Sequence, residues 1–174
     1  MYNQSLASKE LFRAIKEGNV VSFNKGYLNS EYINKTDCNA DGNSLFGYAI
    51  LVRSRDIALM LAYDVELLSM CDEKGRPPVH NFKKNLADGL IGELVGLGMD
   101  INARDSMGNG LPHVLARVGT AQDIAIAEGL GLDLDMRNER GETGADIAKR
   151  YGRLAVFNGE NALKNEPTES TAGF

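Results

Sequence analysis

Apolar residues in this chain arrive in short bursts at helical spacing, and each burst ends in a polar interval centred on glycine. Residues 44–52 (SLFGYAILV) and 111–119 (LPHVLARVG) bring an apolar side chain to one face every three or four positions, which predicts two short helices. Residues 55–68 (RDIALMLAYDVELL), 88–101 (DGLIGELVGLGMDI) and 121–134 (AQDIAIAEGLGLDL) predict a second set of helices. Their inner stripe is Ile57, Leu61, Leu90, Ile91, Leu94, Ile124 and Ile126. The pattern is that of an all-α protein.

The polar intervals are periodic. Gly42, Gly75, Gly108 and Gly141 follow one another at 33-residue steps, with Asn39, Asp72, Asp105 or Asn138 three positions earlier and Ser44, Pro77, Gly110 or Thr143 two positions later. An Asx side chain ahead of a glycine is turn chemistry: its oxygen accepts nearby backbone N–H groups while the glycine takes a positive φ. A Ser, Thr or Pro just beyond opens a helix by capping or by its pre-set φ. Each unit therefore starts with a tight turn and continues as two helices that bury their stripes against the neighbouring units. The glycine runs at 96–100 (GLGMD) and 129–135 (GLGLDLD) follow a helix and precede a turn, so they read as helix C-caps rather than as phosphate loops.

In register the units open NADGNSLFGYA, DEKGRPPVHNF, DSMGNGLPHVL and NERGETGADIA. They resemble the ankyrin repeat, whose usual phrase runs Asp-x-x-Gly-x-Thr-Pro-Leu-His-x-Ala and closes near Gly-Ala-Asp-Val-Asn-Ala. Residues 72–80 (DEKGRPPVH) match the opening best and residues 98–105 (GMDINARD) the close, while residues 32–37 (YINKTD) repeat the Ile-Asn ending. The resemblance covers residues 8–157. It implies an ankyrin-repeat solenoid of about five helix-turn-helix units joined by β-hairpin-like turns. Residues 1–38 would form an N-terminal capping repeat that keeps the helix-to-helix corner at Ala14 to Asn19. Residues 39–157 would form the 33-residue repeats, the last one truncated, and 158–174 a polar, flexible tail. The chain departs from the pattern at Gly47, where histidine is usual, at Asp146, which replaces the histidine of the last unit, and at Glu128, where a buried leucine is expected.

Composition narrows the function. With 174 residues, 43% of them hydrophobic, the chain can bury a core of its own. It has no run of apolar residues long enough for a membrane helix and no apolar leader at its start, so the expected location is cytoplasmic, away from membranes. A net charge of −5 opposes phosphate backbones, so nucleic acid is not the expected partner. Cys38 and Cys71 lack any CxxC companion and are expected to be reduced packing residues.

The candidate reactive groups read as architecture. His80 and His113 are the only histidines. The resemblance places both where an imidazole hydrogen-bonds the neighbouring turn, one repeat apart and too distant to share a zinc ion easily. Ser44 and Thr143 fall at helix-opening positions, and Asp100, Asp133 and Asp135 fall in turns without the convergent oxygens a calcium ion needs. No catalytic set, metal site or cofactor is expected.

A stacked array offers its turn tips and its first-helix face to partners. At the tips these positions hold Lys74, Arg76, Met107, Asn109 and Arg140; on the helix face they hold Tyr48, Arg53, Asn81, Lys84 and Arg117. Tyr, Arg and Met are residues that anchor protein interfaces. The expected function is a non-enzymatic protein-interaction module that blocks or tethers one protein partner, in the manner of an immunity protein, inhibitor, effector or counter-defence factor. The acidic balance would suit a basic partner. Two other readings stay open: a small-molecule-binding or enzymatic domain that uses His80 or His113 as an acid–base group in the inner groove, and a homo-oligomeric structural protein.

Overall fold

The four Asx–glycine intervals fold alike. In each, one side-chain oxygen of Asn39, Asp72, Asp105 or Asn138 accepts the backbone N–H groups two and four residues ahead, at 2.9–3.0 Å. The glycine N–H donates back to the Asx carbonyl at 2.9 Å in all four, and the glycines hold φ between 69 and 81°. That is the left-handed region, open to glycine without steric cost.

These turns separate helices, as the hydrophobic spacing predicts. The computed structural model describes residues 6–29 and 37–159, and the protein is all-helical over them, with no strand and only an isolated bridge between Cys38 and Ser44. The expected Ile-Asn close at residues 32–36 and the tail at 160–174 lie outside the described residues. The helices are α1 (Leu6–Glu17), α2 (Val20–Asn29), α3 (Leu45–Leu51), α4 (Arg55–Ala62), α5 (Val65–Ser69), α6 (Leu90–Gly96), α7 (Leu111–Val118), α8 (Ala121–Gly129), α9 (Gly144–Arg150) and α10 (Leu154–Phe157).

Local chemistry sets their ends. At the start of α3, the Ser44 hydroxyl accepts the Gly47 N–H. At α8 and α9, Thr120 pairs reciprocally with Asp123 and Thr143 with Asp146, each hydroxyl capping a backbone N–H and each carboxylate returning to the threonine N–H. The corner Ala14 to Asn19 closes as expected: Gly18 takes φ 64°, the Asn19 N–H reaches the Ala14 carbonyl at 2.9 Å, and the Asn19 side chain then caps α2 by accepting the Ser22 N–H. The same five-residue back-bond ends α6 and α8, where Met99 donates to Leu94 and Leu132 to Ala127, with Gly98 and Gly131 at positive φ.

The inner stripes meet in a continuous apolar core running from Leu11 to Phe157. Of the seven stripe residues, Ile126 alone is half-buried and the other six are buried. Packing runs within units, α1 against α2 and α3 against α4, and between consecutive units, α1 against α3 and α7 against α9. Gly144 lets α9 approach α7 closely, since a Cβ there would lie 2.9 Å from the Pro112 carbonyl oxygen and 2.6 Å from the Phe157 ring.

Two predicted helices differ. The stretch 55–68 divides into α4 and α5 around Tyr63 and Asp64. More consequentially, the unit that begins at Asp72 lacks a first α-helix: Pro78–Asn81 makes one 3₁₀ turn, a loop follows, and Leu86–Asp88 makes another. The register differs here. Eight residues past the turn glycine stand Ile50 and Ala116 in the adjacent units, each 1% exposed, whereas the exposed Lys83 stands there in this unit. The unit therefore lacks the apolar side chain that its neighbours bury at this position, although Lys149 at the same register in the last unit is accommodated, exposed, within α9.

Two side chains from neighbouring units repair that loop. Arg53 occupies a left-handed position at φ 64° and donates to the Lys84 and Asn85 carbonyls while pairing with Asp88. From the other side, buried Asp123 accepts the Leu86 N–H at 2.7 Å.

Candidate functional site

Where the first helix is missing, the surface opens. Between the units that begin at Asp72 and Asp105 lies a cleft of about 330 Å³, walled by Arg76 and Lys83 on one side and by Val114, Arg117 and Val118 of α7 on the other, with His80 and His113 buried among its lining. The cleft borders the stretch 82–85, where the chain runs as a loop between two 3₁₀ turns instead of as a helix.

The two histidines are not equivalent. His113 is 2% exposed; its Nδ1 accepts the Gly110 N–H at 3.0 Å, and its Nε2 lies 2.9 Å from the Glu142 carbonyl oxygen, which makes Nε2 the donor. Both ring nitrogens are thus engaged with backbone, one closing α7 at its start and the other reaching the next turn. His80 stands three residues after Pro77, which has no N–H to offer, and its Nε2 is buried with no hydrogen-bond partner.

Burial pushes the His80 pKa below its ordinary 6.5, against the opposing pull of the Asp105 carboxylate and the Ala103 carbonyl; Arg76 and His113 add to the lowering. Because the unfolded chain keeps the ordinary value, it binds more protons than the folded one as the solution acidifies. Stability is therefore full above about pH 6.5 and falls as the pH drops toward the folded value. Urea unfolding at stepped pH should show this decline, and His80→Gln should flatten it; an equal slope in the variant would assign the decline to other groups.

The structure sorts the residues expected to face a partner. Arg76, Asn109 and Arg117 come together in the cleft lining. Arg76 is held there by Asp72, its Nε 2.7 Å from the carboxylate, and the exposed Arg117 guanidinium lies over the Tyr151 ring, 6.0 Å from its centroid. Asn109 links turns, its side-chain oxygen accepting from Asn138 and its amide returning to Asp105. Lys74, Met107 and Arg140 are exposed at the tips, with Met107 at 49%. Lys84 is exposed too, although its carbonyl is taken by Arg53.

Three do not stand on an open face. Asn81 is buried: its amide occupies the space that Gly47 leaves empty, lying 2.7 Å from where a Cβ on that glycine would be. The space beside Gly47 is thus filled by an amide from the next unit. Tyr48 is half-buried with its ring edge-on to Phe12, at 5.6 Å between centroids. Arg53 is engaged by the loop of residues 84–88.

Lys83 is the cleft residue that the sequence pattern did not single out. Its signal was present as a cation at a register where the units on either side carry Ile50 and Ala116. Cys71, expected to pack, is exposed, and Cys38 is half-buried; neither is in a disulfide, and the pKa of each thiol is raised, chiefly by burial. Asp100 and Asp133 each accept the backbone N–H two residues on, as turn carboxylates do. Among the described residues no group of three or more His, Cys, Asp or Glu is placed to hold a metal ion, and no helix is long and apolar enough to cross a membrane.

The fold and the cleft define an all-helical protein with a surface groove. No protein-family model matches the chain, and no curated protein matches it.

Proposed function

We propose that the chain is a small array of diverged ankyrin-type repeats that binds one protein partner through its turn tips and the cleft, and blocks or tethers it. The observation that carries this reading is the cleft: a groove lined by Arg117, Val114 and Val118, beside exposed tip residues such as Met107. Exposed arginine and methionine beside aliphatic side chains suit a protein contact. The 33-residue recurrence of the turns, with links such as Glu139 N–H to the Met107 carbonyl and Glu73 N–H to the Gly42 carbonyl, supports the repeat reading. An acid–base role for His113 is disfavoured by its two backbone hydrogen bonds.

The test is co-purification of the tagged chain from its own cells, with Met107→Glu/Arg140→Glu and Arg117→Glu as comparison variants. A single stoichiometric protein is expected with the wild type. It should be lost from at least one variant whose melting temperature is unchanged. Recovery of no protein, or of one that both variants retain, overturns the proposal.

A further inference from the structure

The chain is acidic as a whole, at −5, yet its cleft is cationic. Arg76 is neutralised by its ion pair with Asp72, but Lys83 and Arg117 have no carboxylate partner within 4.0 Å among the described residues. Both are exposed, one on each wall. The carboxylate in the lining, Asp105, is turned to its own loop, where it accepts the Met107 and Asn109 N–H groups and the Asn109 amide; it keeps its charge, so with Arg76 paired the lining carries one net positive charge from Lys83 and Arg117 against Asp105.

The register extends this asymmetry. Nine residues past the turn glycine stand Lys84, Arg117 and Arg150 in three successive units, all exposed. Of these, Arg150 is paired with Glu142 at 2.9 Å, which leaves Lys84 and Arg117 uncompensated among the described residues, Arg117 being the one that lines the cleft. Tyr151, 55% exposed under the Arg117 guanidinium, and Val118, 46% exposed, add apolar surface beside it.

Resting on the protein-binding reading above, we propose that this cleft receives an acidic segment of the partner, with an Asp or Glu side chain between Lys83 and Arg117 and an aliphatic or aromatic neighbour against Val114 and Val118. The volume of about 330 Å³ suits a few side chains of an extended peptide. Two open cations on a short cleft do not track a phosphate backbone, and the net charge of −5 opposes one, so a peptide fits better than a nucleic acid. The partner surface at this cleft is thus opposite in sign to what the overall charge suggests, because a local field dominates within a Debye length of about 8 Å.

The test is selection of a displayed library of random linear peptides on the purified full-length chain, followed by binding measurements on the enriched peptides. Enriched sequences should carry Asp or Glu beside an apolar residue. Their affinity should fall about tenfold or more in Lys83→Glu/Arg117→Glu, fall less in Lys83→Gln/Arg117→Gln, and hold in Arg13→Glu on α1. Both cleft positions are exposed, so unchanged circular dichroism and melting should accompany the loss. Absence of enrichment, neutral or basic consensus sequences, or affinity that survives the double reversal overturns the inference. Binding of a single-stranded oligothymidine probe that the same reversal abolishes would overturn it in favour of nucleic acid. If the selection fails while co-purification still yields a partner that Met107→Glu/Arg140→Glu releases, only the cleft chemistry falls and the partner-binding reading stands.

Discussion

Replacing His113 by alanine is expected to cost about 3–4 kcal/mol of stability, the largest effect of any single substitution on the first-helix face. The imidazole is 2% exposed and bridges two backbone groups, the Gly110 N–H and the Glu142 carbonyl. Truncation leaves the buried Gly110 N–H without a partner, worth about 1–3 kcal/mol, takes one of the two bonds from the Glu142 carbonyl, which keeps the Asn138 N–H, and opens a cavity between α7 and the following turn. For a chain of this length the melting temperature should fall by roughly 8–15 °C. Thermal and urea denaturation measure the loss, and a change below about 1 kcal/mol would show that the bridge contributes little net stability. Because Glu142 belongs to the last turn, amide exchange should rise first over α9 and α10, which follow that turn and have no described unit beyond them.

Asp123→Ala is expected to cost about 3 kcal/mol, for a different reason. This carboxylate is 2% exposed and serves two elements at once: one oxygen takes the Leu86 N–H of the irregular unit, and the other takes the Thr120 N–H and hydroxyl at the start of α8. Its loss removes the returning half of the α8 capping box, leaving the Thr120 hydroxyl on the N–H at position 123, and orphans a buried N–H in the loop that borders the cleft. Asp123→Asn keeps one carbonyl oxygen and should cost less than alanine, since it can serve one side but not both. The diagnostic reading is hydrogen exchange at the Leu86 amide, which should accelerate in both variants. Protection that stays at the wild-type level would mean that Arg53, holding the same loop through Lys84 and Asn85, suffices to order it.

Both predictions concern bonds between units, and these were legible to different degrees. His113 was readable as a stitch, because its place in the repeat fixes which turn it meets. Asp123 was not, because its partner Leu86 is 37 residues away and becomes available only after the expected helix has failed to form. Asn81 was misplaced for a similar reason. Counting along a helix puts it on an open face, but the vacancy that draws it inward is created by Gly47, in the preceding unit.

The cleft shows the same division. Arg76, Asn109 and Arg117 were visible as surface positions, whereas the enclosure that joins them to Lys83 was not. Net charge gave the wrong picture of that enclosure, because a sum over 174 residues says nothing about where the charges gather: Arg76, Lys83 and Arg117 meet there, against Asp72, paired with Arg76, and Asp105.

The repeating turns, the helix caps, the all-helical class and the apolar stripes follow from residues a few positions apart, and short-range chemistry is what a linear sequence displays directly. The unwound helix, the arginine and aspartate that hold its loop, and the cationic cleft arise from pairs more than thirty residues apart. Their energies depend on burial, which exists only once the units have packed against one another.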